Sequence, residues 1–119
     1  MKKLLIASTI TVLILTSAIT TPKANAADVS TSICESVASD NKKRLRTLLR
    51  INKLKIRRIF GDLKCNGENL LEFAASSGSV ETGKLMISKL PKKVVSANLA
   101  LIQTGSQPLY DAANVRVSS

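Results

Sequence analysis

The stretch Cys65–Pro91, CNGENLLEFAASSGSVETGKLMISKLP, decides the fold. Asn66-Gly67 is a turn dipeptide. Asn69 is a helix N-cap residue, and Leu70, Leu71, Phe73, Ala74 and Ala75 then crowd a short helix predicted from Leu70 to about Ser76. Gly78 suits the left-handed position that ends a helix. Ser79 stands where it would cap a second helix, Val80–Leu90, whose Leu85, Met86 and Leu90 form the buried stripe and which Pro91 stops. Gly83 inside that helix costs about 1 kcal/mol relative to Ala, which predicts that a neighbouring helix approaches closely there. The stretch therefore reads as helix, glycine turn, helix.

Upstream the same plan recurs. Ala27–Thr31 reads as a disordered lead. Ser32 and Glu35 have the capping-box spacing, so the first helix is expected from Ser32 to Ser39, with Ile33, Cys34, Val37 and Ala38 on one side. Asp40-Asn41 breaks it, with Asn41 suited to the left-handed turn. A second helix is expected over Lys42–Ile51, with Leu45, Leu48 and Leu49 at i, i+3, i+4 and a stop at Asn52-Lys53. Leu54–Phe60 fits both an extended alternation and a helical turn; the apolar spacing favours a short helix ended by Gly61. Asp62–Glu68 is a loop carrying Cys65.

Downstream, Val94, Val95, Leu99, Leu101 and Ile102 suggest one last helix packing back on the core. Thr104–Pro108 reads as a linker, and Leu109–Ser119 as a weakly patterned tail. Sliding the chain by 37 residues brings Cys34-Glu35 onto Leu71-Glu72, Val37-Ala38-Ser39 onto Ala74-Ala75-Ser76, Asn41 onto Gly78, and Leu48-Leu49 onto Leu85-Met86. Such a period points to a stacked two-helix repeat, against the alternative of chance similarity between two amphipathic pairs. The expected fold is mainly α: a small domain over 27–103 of two stacked helix-turn-helix units with one disulfide, then a less ordered C-terminal tail over 104–119.

The first 26 residues have the form of an export leader. Lys2 and Lys3 precede an uncharged apolar run, Leu4–Ala18, and Ala24-Asn25-Ala26 supplies small residues at −3 and −1. Cleavage after Ala26 and a periplasmic location are expected. In an oxidising compartment Cys34 and Cys65 have only each other to pair with; two buried thiols are the competing reading. The pair closes a loop of 31 residues, worth about 3–4 kcal/mol in chain entropy.

The protein has no His, which excludes His-based triads, His metal ligation and His acid–base shuttles. Asp40, Asp62, Glu68 and Glu72 show no pairing that marks acid–base chemistry, and no phosphate loop or nucleophile elbow occurs. The expectation is a protein that is not an enzyme, with no cofactor and no metal.

What stands out is charge. Lys42, Lys43, Arg44, Arg46, Arg50, Lys53, Lys55, Arg57 and Arg58 form a segment of nine basic residues with no acidic one. A solvated face that serves solubility explains it; so does an anionic partner. The partners considered are an acidic envelope protein and an anionic lipid or lipopolysaccharide surface. One Tyr, two Phe and no Trp argue against nucleic acid.

Two resemblances accompany this reading. Asn66–Glu81, continuing to Leu90, resembles an ankyrin repeat in its loop glycine, paired alanines, turn glycine and Val80-Glu81 pair. Asn69, Leu70 and Glu72 stand where Thr, Pro and His are usual, which removes the repeat's Thr–His hydrogen bond. The pieces Cys34-Glu35-Ser36-Val37, Lys43-Arg44-Leu45-Arg46, Leu54-Lys55-Ile56-Arg57, Cys65-Asn66-Gly67, Asn69-Leu70-Leu71 and Lys89-Leu90-Pro91 are similar to small exported bacterial proteins of the DUF3718 type. That resemblance implies export and a cysteine pair, and it transfers no site residues.

Overall fold

The computed structural model describes residues 26–119, with side chains from Val29 onward; of the expected leader, residues 1–26, all but Ala26 lie outside them. Eight helices make up the described chain: α1 (Ala26–Ala38), α2 (Lys42–Ile51), α3 (Ile56–Ile59), α4 (Leu70–Ser76), α5 (Val80–Lys89), α6 (Lys92–Ala97), α7 (Leu99–Gly105) and α8 (Gln107–Ser118). Among the described residues there is no strand, only an isolated bridge between Cys65 and Glu68 around the Asn66-Gly67 turn, whose two residues both have positive φ.

Three helix pairs stack side by side. The first helices form one layer, α1 against α4 and α4 against α7; the second helices form another, α2 against α5 and α5 against α8. Short helices α3 and α6 occupy the connections between pairs, each burying one aliphatic side chain, Ile56 and Val95. The core runs through the stack as Ile33, Val37, Leu45, Leu70, Leu71, Met86, Leu90, Ile102 and Leu109, each 1% exposed or less.

The sequence of the opening stretch sets its local structure as expected. The Asn69 side chain accepts from Glu72 N at 2.8 Å, the five predicted residues of α4 are buried, and Gly78 has φ 70°. Helix α2 likewise has its predicted bounds, with Asn41 as its N-cap accepting from Arg44 N at 3.0 Å.

Several expectations are corrected. Helix α1 begins at Ala26, so Ala27–Thr31 is not a disordered lead and Ser32 is not a cap; the apolar i, i+4 series Val29, Ile33, Val37 carries the helix back. The left-handed residue of the first turn is Asp40 (φ 55°) rather than Asn41. Helices α2 and α5 are offset by 38 residues, not 37, from Lys42 to Val80. Ser79 takes the N-cap position of α5 but makes no capping hydrogen bond; its hydroxyl donates to the Val37 carbonyl. The cap is Asp40, which accepts from Thr82 N at 2.8 Å and Glu81 N at 3.3 Å.

The region after Pro91 departs furthest. It holds three helices where one was expected, and 104–119 is not a loose tail. Gly105 closes α7, the Ser106 hydroxyl accepts from Leu109 N at 3.3 Å, and α8 buries Leu109 and Ala113 completely. The stack thus has a third pair, and the close approach predicted at Gly83 is made by α8: a β-carbon there would lie 2.5 Å from Leu109 Cδ1. Across the same stack Asn69 Nδ2 donates to Asn98 Oδ1 at 2.7 Å, joining the N-terminus of α4 to that of α7.

The cysteines are bonded. Cys34 and Cys65 form a disulfide that ties α1 to the turn leading into α4, and no described cysteine is free.

Candidate functional site: a basic groove

The phase of helix α2 sorts the basic segment. With Leu45 turned into the core, Arg46 and Arg50 fall together at i, i+4 beside the half-buried Leu49. The extended backbone at Lys55 (φ −121°, ψ 134°) then carries Leu54, Lys55, Ile56 and Arg57 up against the same side. Helix α5 contributes its C-terminal half with Leu85, Ser88 and Lys89, and α8 contributes Arg116. Together these residues line an open groove of about 690 Å³.

Six of the lining residues are cationic: Arg46, Arg50, Lys55, Arg57, Lys89 and Arg116; none is acidic. Arg50, Arg57, Lys89 and Arg116 each lie in the last turn of a helix. A helix C-terminus carries about −0.5 charge, so part of this positive charge offsets helix dipoles. Six full charges exceed what the few helix ends present supply, and the groove remains net positive. Arg116 is anchored, its Nη2 donating to the Leu90 carbonyl at 2.9 Å, while its Nε is buried without a partner among the described residues.

The nine predicted residues do not act as a block. Arg46, Arg50, Lys55 and Arg57 are brought together in the groove. Lys42 pairs with Glu81 at 3.5 Å and Arg44 with Glu35 at 3.3 Å, both across exposed surface, where such pairs contribute at most about 1 kcal/mol. Lys43, Lys53 and Arg58 are exposed and do not line the groove. Lys89 and Arg116 were not singled out by the linear reading. The i, i+3, i+4 set Arg46, Leu49, Arg50 was the available signal for the groove's own face.

A second hollow, of about 310 Å³, lies beside the disulfide and is lined by Cys34, Cys65 and Phe73, with Glu35 and Lys64 of opposite charge at its edge. Among the described residues no group of three or more His, Cys, Asp or Glu converges as a metal site, and no helix is long and apolar enough to cross a membrane.

No curated protein and no solved structure matches the chain. A family defined as "Protein of unknown function (DUF3718)" matches residues 33–97, which include every groove cation except Arg116 and stop short of α7 and α8. With more than half of its length matched, the chain belongs to the DUF3718 family.

Proposed function

We propose that the protein is an exported, periplasmic, non-enzymatic binding protein whose basic groove engages an anionic partner, an acidic protein of the envelope. The observation that carries this reading is the groove itself: six cations from four helices and a connecting loop, with no carboxylate among them. Gathering like charges from distant parts of a chain opposes folding, and an opposite charge relieves it. The Cys34–Cys65 bond supports export, since such bonds persist in oxidising compartments. Intact-mass measurement of protein from a periplasmic extract tests the location: a chain lacking residues 1–26 and carrying one disulfide is expected, and recovery of the full-length chain in the cytosolic fraction overturns it.

Binding is tested with the chain immobilised and polyglutamate passed over it at low and high salt. Salt-sensitive retention that is lost in Arg46→Gln/Arg50→Gln is expected. Retention unchanged by that double variant returns the groove to a solvated surface.

One observation favours a second reading, direct attachment to an anionic lipid or lipopolysaccharide surface. Ile51 is 64% exposed at the end of α2, next to Arg50 and two residues before Lys53. An aliphatic side chain among cations is suited to a headgroup layer, where each basic residue contributes about 1 kcal/mol. Co-sedimentation with phosphatidylglycerol vesicles that is lost in Ile51→Asp supports this reading, and no co-sedimentation at low salt excludes it.

A further inference from the structure

Charge accounts for the groove's rim but not for its floor. Between the six cations lie Leu49, Leu54, Ile56 and Leu85. Ile56 and Leu85 belong to the core, at 2% and 8% exposure, while Leu49 and Leu54 are half-buried and open to the groove. A bare polyanion meets the rim and leaves this aliphatic floor wet. A planar headgroup layer touches protrusions and does not reach the bottom of a concavity. No aromatic side chain lines the groove, so a base or sugar ring has nothing to stack on.

The rim is selective in another way. Three of its exposed cations, Arg46, Arg50 and Arg57, are arginines, whose planar forks take carboxylates two hydrogen bonds at a time, while Arg116 is half-buried with Nη2 already donating to the Leu90 carbonyl. In an extended chain, side chains of one parity face one way and those of the other parity the opposite way. A segment with aliphatic residues at alternate positions sets these on the floor. Its carboxylates then lie at the level of the rim, where the long Arg and Lys stems carry their charges.

We infer that the groove receives an extended acidic segment of another protein, with aliphatic residues interspersed among its carboxylates; this rests on the reading above that the groove takes an anionic partner. Lys89 and Arg116, from α5 and α8, complete the side of the groove that the basic segment does not supply.

Fluorescence anisotropy with a labelled peptide alternating Glu and Val tests the inference. The comparisons are oligoglutamate of the same length, pyrophosphate as competitor and phosphatidylglycerol vesicles. The Glu-Val peptide is expected to bind about tenfold tighter than oligoglutamate, because only it covers the floor. Lys89→Gln and Arg116→Gln each weaken it about tenfold; Lys89 is exposed, and an unchanged melting curve for that variant separates binding from unfolding. Leu54→Ser weakens the Glu-Val peptide and leaves oligoglutamate unaffected, whereas Lys43→Gln and Lys53→Gln leave both unchanged. Equal affinity for the two peptides overturns the inference while leaving an anionic partner standing, and so does tighter binding of pyrophosphate or of the vesicles. Binding of none of the four overturns the inference and the anionic reading together.

Discussion

Asp40 shows how much one residue carries at the joint between the first two helix pairs. Its backbone takes the left-handed turn after α1 (φ 55°), and its carboxylate caps α5 while also accepting from the Thr82 hydroxyl at 3.1 Å. Replacing it by Ala removes a cap worth about 0.5–2 kcal/mol and puts a less tolerant residue at positive φ. Asp40→Ala is expected to lose about 2 kcal/mol in urea denaturation and Asp40→Asn less than half of that; Asp40→Ala within a few tenths of the parent would remove Asp40 as the joint. Two glycines make a second contrast. A β-carbon on Gly105 would meet the backbone carbon of Ala75 at 2.8 Å, and one on Gly83 the side-chain tip of Leu109 at 2.5 Å. Backbone does not yield as a leucine tip does, and Gly83→Ala also recovers about 1 kcal/mol of helix propensity. Gly105→Ala is therefore expected to destabilise by about 2–3 kcal/mol and Gly83→Ala by about 1 or less. The reverse order would mean that the α7–α4 contact is looser than drawn.

Among the elements, α2 and α4 were legible from sequence because stripe and stop agree in each of them: Leu45, Leu48 and Leu49 with Asn52, and five buried residues with Gly78, where Asn69 adds a cap; Asn41, the cap of α2, reads in the sequence as the left-handed residue of the turn instead. Helix α8 was not, because the residues that punctuate a linker also punctuate helices. Gly105 ends α7, Ser106 caps α8, and Pro108 sits in the first turn, where it does no harm. Its buried face is only Leu109 and Ala113, too narrow a stripe to register as a period. The one-residue slip in the repeat offset has a related cause. Helix α5 lies in the middle of the layer of second helices and buries Thr82, Gly83, Leu85, Met86 and Ile87, so apolar matching there tolerates a shift. In the groove, four of the six cations were visible as a linear run. Lys89 and Arg116 were not, because only the docking of α5 and α8 brings them there. Helix α8 is therefore both core and groove wall. Leu109→Ala should cost about 3 kcal/mol and lower the urea midpoint accordingly. A chain ending at Ser106 should lose its cooperative melt; a retained sharp transition would show that the first two pairs stand alone.

For the whole molecule, the question is what holds three small pairs in one stack. The third pair is held to the second without a disulfide: by Leu109 against Gly83, α7 against α4, and the Asn69–Asn98 and Arg116–Leu90 hydrogen bonds. The first pair has the Cys34–Cys65 bond in addition, and α1 contacts α4 less extensively than α7 does. The disulfide therefore strengthens the weaker of the two joints. Reduction, or Cys34→Ser, releases a 31-residue loop and should cost about 3–4 kcal/mol, seen as a lower melting temperature. Equal melting with and without reductant would make the bond irrelevant to stability. The stack also predicts where the loss falls. In a chain of pairs that each touch only their neighbours, stability is partly local, so the pair next to the broken tie opens first. Under reductant, amides of α1 and α2 should exchange faster by hydrogen exchange, while those of α4 and α7 keep most of their protection. Because α2 supplies Arg46 and Arg50, binding at the groove should weaken under the same conditions although α5 and α8 remain folded. Uniform acceleration across all helices would mean that the three pairs unfold as one unit and that the disulfide acts on the whole of it.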